Sequence, residues 1–190
     1  MKILKINFFT VIVIALLNSS VALAWNDKIT HPALTDRAIK YLERTYWLVP
    51  YLQNNLGFKN HFDEVLNNGN ENKSIKDLLL EGSKEEDAPD EDHLLTRSSN
   101  HFHSPLKSTN EAGLDQGVLQ GESALAWARG DIVSNEYSWF EARYHYKASF
   151  EAESAIDRDR ELAKTFRCLG QIMHLVQDMA VPAHMRNGVA

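Results

Sequence analysis

The segment over residues 155–180 constrains the fold most, because it carries one continuous helical pattern and ends only near Pro182. Shorter helical patterns start at Thr30, Ser74 and Ser138, whose hydroxyl groups can cap the first turn of a helix. No stretch alternates apolar and polar residues in the manner of a half-buried strand. The sequence therefore predicts an all-α, multi-helix fold.

Glycine and asparagine mark the expected ends of two of these helices. Gly82 follows an expected helix over residues 75–81, and Asn67-Asn68-Gly69 follows a short one over residues 62–66. Residues 83–110 have no helical period and many charged side chains. We expect them to form a long loop, and loops of that length usually carry function.

Residues 1–24 have the order of an export signal. Two lysines precede an apolar run too short to cross a bilayer comfortably, and Ala22-Leu23-Ala24 has the small-x-small pattern of a signal-peptidase site. An uncleaved membrane anchor is the alternative, which the short run disfavours. We expect a mature domain over residues 25–190 that begins at Trp25 and is secreted or periplasmic.

The charge of the chain disfavours one class of function. The full sequence holds 20 basic and 26 acidic residues, for a formal charge of −6, and removal of Lys2 and Lys5 with the signal makes it −8. A basic groove for a nucleic-acid backbone is therefore not the expected binding device. Cys168 is the only cysteine, so bound metal replaces an internal disulfide as the candidate source of rigidity, and the thiol itself is expected to be buried.

The densest chemical signal lies at the end of the longest helical pattern. His174 and Asp178 are four residues apart and share a helix face, with Gly170 one turn earlier and His184 beyond the helix end. Imidazole and carboxylate are zinc ligands, although a simple His–Asp hydrogen bond is the alternative. We expect the opposite stripe to form the core: Leu169, Ile172, Met173, Val176 and Met179.

Two further groups of residues can supply ligands. In the expected loop, Asp87 precedes His101, while Glu85 and Glu86 are interpreted as solvated acids. Near the mature N-terminus, His31 lies six residues after Trp25, whose freed amine and carbonyl oxygen can chelate a metal. The remaining histidines are expected to pack or to face solvent: His61, His93, His103 and His145.

Together the three groups resemble the bacterial zinc-dependent phospholipases C and the related fungal single-strand-specific nucleases. That family begins its mature chain with Trp, has a His that opens the first helix, and places an Asp fourteen residues before an H-F-x-x-P motif. Its last motif is His, Asp four residues on and His six further on, with Pro two before the last His. The matching residues are Trp25, His31, Asp87, His101-Phe102-His103-Ser104-Pro105, His174, Asp178, Pro182 and His184. The family often has Asp where Ser104 stands.

The resemblance implies an all-helical fold with three zinc ions. Asp178 would bridge two of them, with Trp25 and His31 on one ion and His101 and His174 on the other. Asp87 would be either a ligand or the base that orients water.

His184 would begin the third site. The family completes that site with a later His and, four residues on, an acidic residue. Neither occurs before Ala190, so we expect the sequence to be truncated at its C-terminus and the third site to lack those ligands.

The expected activity is that of a zinc-dependent phosphoric diester hydrolase. A phospholipase C would release diacylglycerol and a phosphorylated head group from phospholipid at a membrane surface. A nuclease of the same fold, acting on single-stranded nucleic acid, is the alternative, and a non-catalytic secreted zinc-binding protein is the second. No stable protein partner is implied.

Overall fold

A computed structural model describes residues 28–45, 47–87, 97–130 and 135–186. These residues are mostly helical, as predicted, and no helix among them is both long and apolar enough to cross a membrane. The α-helices with bounds in these ranges are α1 (Thr30–Leu42), α2 (Leu48–Asn54), α3 (Ile75–Glu85), α4 (Ala124–Arg129), α5 (Trp139–Glu151), α6 (Ala155–Asp178) and α7 (Pro182–Met185).

Serine side chains fix the starts of four helices. Ser74, Ser123, Ser138 and Ser154 each accept a hydrogen bond from the backbone N–H three residues on, which satisfies a donor that the helix itself leaves unpaired. The predicted starts at Ser74 and Ser138 are confirmed. Thr30, by contrast, is the first residue of α1, and Ile29 occupies the cap position, so the predicted cap at Thr30 is wrong.

Two short antiparallel hairpins interrupt the helices, which the sequence pattern did not predict. Strands β1 (Val65–Asn67) and β2 (Asn72–Ser74) pair, as do β3 (Asp115–Gln116) and β4 (Leu119–Gln120). The predicted helix over residues 62–66 is therefore wrong. Asn67 and Asn68 turn the chain instead, because their side-chain oxygens accept hydrogen bonds from backbone N–H groups in the β1–β2 turn.

The centre of the fold is the crossing of α3 and α6. The predicted helix end at Gly82 is wrong, because α3 continues to Glu85 and Gly82 lies against Gly170 of α6. A Cβ on Gly82 would lie 2.8 Å from the Gly170 Cα, and a Cβ on Gly170 would lie 2.9 Å from the Gly82 Cα. Only glycine at both positions lets the two backbones come this close.

On one side of this crossing the protein has its hydrophobic core. Side chains from α1, α2, α3 and α6 meet there with the first 3-10 helix, His61–Asp63, and with β1. Helix α5 packs along α6, its Tyr146 packs against this core, and Cys168 is buried as predicted. The core residues are Ile39, Leu52, Phe58, Phe62, Leu66, Ile75, Leu78, Leu79, Leu162, Ala163 and Phe166.

Candidate metal centre

Helix α6 buries the polar face that carries the predicted ligands. His174 is 0% exposed and Asp178 is 2% exposed, whereas Val176 on the expected core stripe is 56% exposed. The other members of that stripe are only partly buried, and of these Leu169 and Met173 pack against the hydrophobic core, so the predicted core face is confirmed only in part. The reason is tertiary: α1 and the end of α3 pack on the side of α6 that bears His174.

Five separate segments bring the site together. His31 comes from the first turn of α1, Asp87 follows the end of α3, and His101 ends the 3-10 helix Ser99–His101. His174 and Asp178 come from α6. His184 comes from the short helix α7, which begins at Pro182 after α6 has ended. Six of the seven predicted ligands thus lie in one place, and Trp25 lies outside the described residues, as does the predicted signal over residues 1–24.

The Asp178 carboxylate is the hub of the cluster. Its Oδ2 lies 2.8 Å from His101 Nδ1 and 3.2 Å from His174 Nε2. Its Oδ1 lies 3.4 Å from His31 Nε2 and also 3.4 Å from His184 Nδ1. One carboxylate therefore faces four imidazole rings, two on each oxygen.

Asp87 provides a second carboxylate to the same rings. Its Oδ1 lies 3.2 Å from His101 Nδ1 and its Oδ2 lies 3.3 Å from His174 Nε2. Two ligand sets have mutually close donor atoms, one of His31, Asp87 and His174, the other of His101, His174 and Asp178. In each set the donor atoms lie within 4.8 Å of one another. These buried His/Asp clusters can hold a metal ion.

Hydrogen bonds outside the cluster orient two of the rings. His174 donates from Nδ1 to the Ser83 carbonyl oxygen at 2.7 Å, so Nε2 is the nitrogen that faces the carboxylates. His31 Nδ1 lies 2.8 Å from Gln177 Oε1, and Gln177 Nε2 donates to Thr35 Oγ1 at 2.9 Å. Metal-binding histidines are usually held by such a bond from the second ring nitrogen.

The electrostatics of the cluster favour positive charge at its centre. Burial opposes the charged form of His174, but the carboxylates of Asp178 and Asp87 outweigh it and raise the pKa of His174 to about 9. Burial likewise opposes ionisation of Asp178, yet the bonds from His101 and His174 hold its pKa well below the ordinary range. His31 differs, because burial and the neighbouring His174 lower its pKa.

Several polar atoms of the cluster lack a hydrogen-bond partner among the described residues. His174 Nε2 and Asp178 Oδ2 are both buried and 3.2 Å apart, yet neither makes a hydrogen bond of acceptable geometry. His101 Nε2 and His184 Nδ1 are also buried and have no hydrogen-bond partner among these residues. Buried polar atoms are costly to leave unpaired, so facing lone pairs of this kind fit a bound cation.

Glu86 is a site residue that the sequence interpretation missed. It was expected to be a solvated acid, but it is 0% exposed, because α3 continues past Gly82 and carries it inward. With α3 continuing past Gly82, helical spacing from Leu79 through Ser83 places Glu86 on the buried face. Glu85, by contrast, is partly exposed and pairs with Arg167.

The histidines that were not expected to be ligands have other surroundings where they are described. His145 Nδ1 lies 2.6 Å from Glu161 Oε2, which ties α5 to α6. His103 Nδ1 lies 3.3 Å from Ser123 Oγ, the cap of α4. His61 has a backbone φ angle of 55° and precedes β1. His93 lies outside the described residues.

Comparison with protein-family models, with curated proteins and with solved structures finds no match for this chain. The class of protein is therefore described from its fold and its site alone. The protein is mostly helical, and its buried His/Asp cluster can hold metal.

Proposed function

We propose that the protein is a zinc-dependent phosphoric diester hydrolase of the phospholipase C type, with the all-helical fold of that family. The observation that carries the proposal is the meeting of four imidazoles on the two oxygens of Asp178, in a buried site whose facing polar atoms find no hydrogen-bond partner in the described part of the chain. Residues far apart in sequence converge there, in the order that the family motif requires.

Zinc is the metal that these donors suit best, since nitrogen from imidazole and oxygen from carboxylate are its ligands outside cysteine sites. His101 and His174 would hold one ion with Asp87, and His31 would hold a second with the Trp25 amine, with Asp178 shared between them. His184 would contribute to a third. When bound, zinc lowers the pKa of a coordinated water towards ~7 and neutralises phosphoryl oxygens.

Asp87 and Asp178 differ in their access to solvent. The Asp178 side chain is 3% exposed and faces imidazoles on both oxygens, which suits a fixed ligand. The Asp87 side chain is 21% exposed, and its neighbours His101 and His174 outweigh burial to keep its pKa low. An ionised carboxylate at the rim can both bind metal and accept a proton from attacking water. We therefore propose that Asp87 orients the attacking water and accepts its proton.

Phospholipid is the substrate class that we propose. The excess of acidic side chains disfavours a long polyanion, whereas a single phosphodiester can be neutralised by the bound cations. The zinc-loaded mature protein should therefore release phosphorylated head group from phosphatidylcholine vesicles. Equal concentrations of single-stranded DNA should remain intact.

The matched test uses the same preparation after dialysis against a chelator and again after zinc is restored. Activity on phosphatidylcholine should disappear and return. Cleavage of single-stranded DNA alone would assign the nuclease activity instead. Zinc binding with neither activity would leave a non-catalytic zinc-binding protein and refute the proposed hydrolase.

A further inference from the structure

Glu86 and Asp87 are consecutive in sequence, yet their carboxylates approach opposite edges of the His101 ring. Asp87 Oδ1 lies 3.2 Å from Nδ1 of His101, and Glu86 Oε1 lies 3.7 Å from Nε2 of that imidazole. His101 is 2% exposed, and its Nε2 has no hydrogen-bond partner among the described residues. The nearest acceptor offered to the outer nitrogen of this ring is thus a fully buried carboxylate.

Glu86 is held in place by two donors on different elements. Trp127 Nε1 donates to Glu86 Oε1 at 3.0 Å, and the Arg97 guanidinium donates to Glu86 Oε2. Arg97 also donates to Gln171 Oε1 at 2.7 Å, one turn before His174 on α6. Because each Glu86 oxygen already has a donor, the side chain is anchored and its charge is neutralised by Arg97.

From this geometry we infer that Glu86 is a positioning residue for metal binding: it fixes the orientation of His101, with Nε2–H towards Glu86 and the Nδ1 lone pair towards the ions. The inference rests on the proposed zinc site and adds to it a residue that does not touch the metal. Carboxylates that accept from the second nitrogen of a metal-binding histidine raise its basicity and hold its ring plane.

The alternative role for Glu86 is purely structural, as an anion that satisfies Arg97 and Trp127. Glu85 provides a matched control, because it is the preceding residue on the same helix and also pairs with an arginine, Arg167. The variants Glu86→Gln and Glu85→Gln each remove one negative charge and one ion pair. Only the first changes the group that faces His101.

Two measurements separate the roles. In the metal-free protein with ¹⁵N-labelled histidine, the His101 Nε2–H proton should resonate downfield, and it should move upfield in Glu86→Gln but not in Glu85→Gln. In zinc titrations against a competing chelator, Glu86→Gln should weaken the affinity of the His101 site by roughly 10–100-fold. Glu85→Gln should stay within about twofold of the wild-type protein.

An unchanged Nε2–H signal in Glu86→Gln, or zinc affinity equal to that of Glu85→Gln, would overturn the inference. If Glu86→Gln does not fold, Trp127→Phe removes one donor to Glu86 and keeps an aromatic ring in place. That variant should then move the same proton signal and weaken zinc binding several-fold, and no change in either would overturn the inference. If the wild-type protein takes up no zinc while the proton signal still depends on Glu86, the proposed function fails and the Glu86–His101 contact stands.

Discussion

The two sides of the α3–α6 crossing are built from the same pair of helices but from opposite chemistry. On one side Leu78 and Leu79 of α3 face Phe166 of α6 in an apolar core. On the other side, beyond Gly82 and Gly170, the helices bury Glu86, Ser83, His174 and Asp178. The first side is stabilised by removal of apolar surface from water. The second side gathers ionisable groups whose burial is costly without a compensating charge.

The apolar side and the polar side, here called the two halves, therefore contribute differently to the protein. The apolar half supplies folding free energy whether or not metal is present, and the polar half supplies the site. Substitutions on the apolar side should change stability without changing the zinc content of the folded protein. Substitutions on the polar side should change zinc binding.

The largest effect on stability is expected for Phe166→Ala. Phe166 is buried in the core with its ring 5.9 Å from that of Phe58, so its removal leaves a cavity. The free energy of unfolding, measured by denaturant titration, should fall by about 3–5 kcal/mol, with zinc per folded chain unchanged. The control is Phe150→Ala, whose side chain is exposed on α5 and should cost less than about 0.5 kcal/mol. A similar loss in both variants would contradict this account of the core.

Gly170→Ala, at the point where the two halves meet, should have a smaller effect on stability but should also weaken zinc binding. In Gly170→Ala the new methyl group would meet the backbone of α3 at Gly82 and Leu79 and force the helices apart. We expect a loss of about 1–3 kcal/mol in unfolding free energy together with weaker zinc binding, since both sides of the crossing move. Unaltered stability and affinity would show that the close approach of α3 and α6 is not required.

On the polar side, Gln177→Ala should affect zinc more than folding. Gln177 links His31 Nδ1 to Thr35, so its loss removes a hydrogen bond that orients the ring. Zinc affinity of the site that contains His31 should fall by roughly 10-fold, about 1.4 kcal/mol. The control Gln53→Ala removes a glutamine that makes only a long bond of 3.5 Å to the Lys59 carbonyl oxygen, and it should bind zinc as the wild-type protein does. Equal affinity in the two variants would exclude the proposed role of Gln177.

Raising the pH should lower the stability of the metal-free protein and raise its affinity for zinc. His174 has a pKa raised to about 9, so in the metal-free protein its stabilisation is full below about pH 6.5 and is lost as pH rises towards 9. His101, whose pKa is also raised, adds a loss in the same direction, so the free energy of unfolding should fall by about 1 kcal/mol or more per pH unit. His31, with a lowered pKa, changes stability only below about pH 6.5 and does not offset this loss. Zinc affinity should instead rise over this window, because ligation requires neutral imidazole. Parallel pH profiles of metal-free stability and zinc affinity would contradict this linkage.

Local sequence signals predicted the local features of the fold. Helix starts at Ser74 and Ser138 follow from a hydroxyl that caps nearby backbone groups, so neighbouring residues suffice to find them. Motif spacing likewise selected six side chains, Asp178 among them, that the fold gathers in one place, although their roles as ligands remain predictions. The end of α6 was expected at about Ala180, before Pro182, and lies at Asp178, two residues earlier.

The errors came from features that distant residues decide. Gly82 has the local character of a helix end, but its partner Gly170 makes it a point of close contact inside α3. The missed burial of Glu86 follows from that first error. On α6, apolar side chains suggested one core face, but the packing of α1 and α3 buries the face of His174 more completely. Burial of a polar face depends on what packs against it, and one helix pattern does not contain that information.

Zinc content of Asp178→Asn tests the central claim most directly. The wild-type protein and a control variant, Asp115→Asn at an exposed position of β3, are dialysed with Asp178→Asn against buffered zinc, and the metal per chain is measured by mass spectrometry. We expect about two or more zinc ions per chain in the first two proteins and loss of the bridged pair in Asp178→Asn. Zinc content in Asp178→Asn equal to that of the control, or absence of zinc from the wild-type protein, would contradict the account.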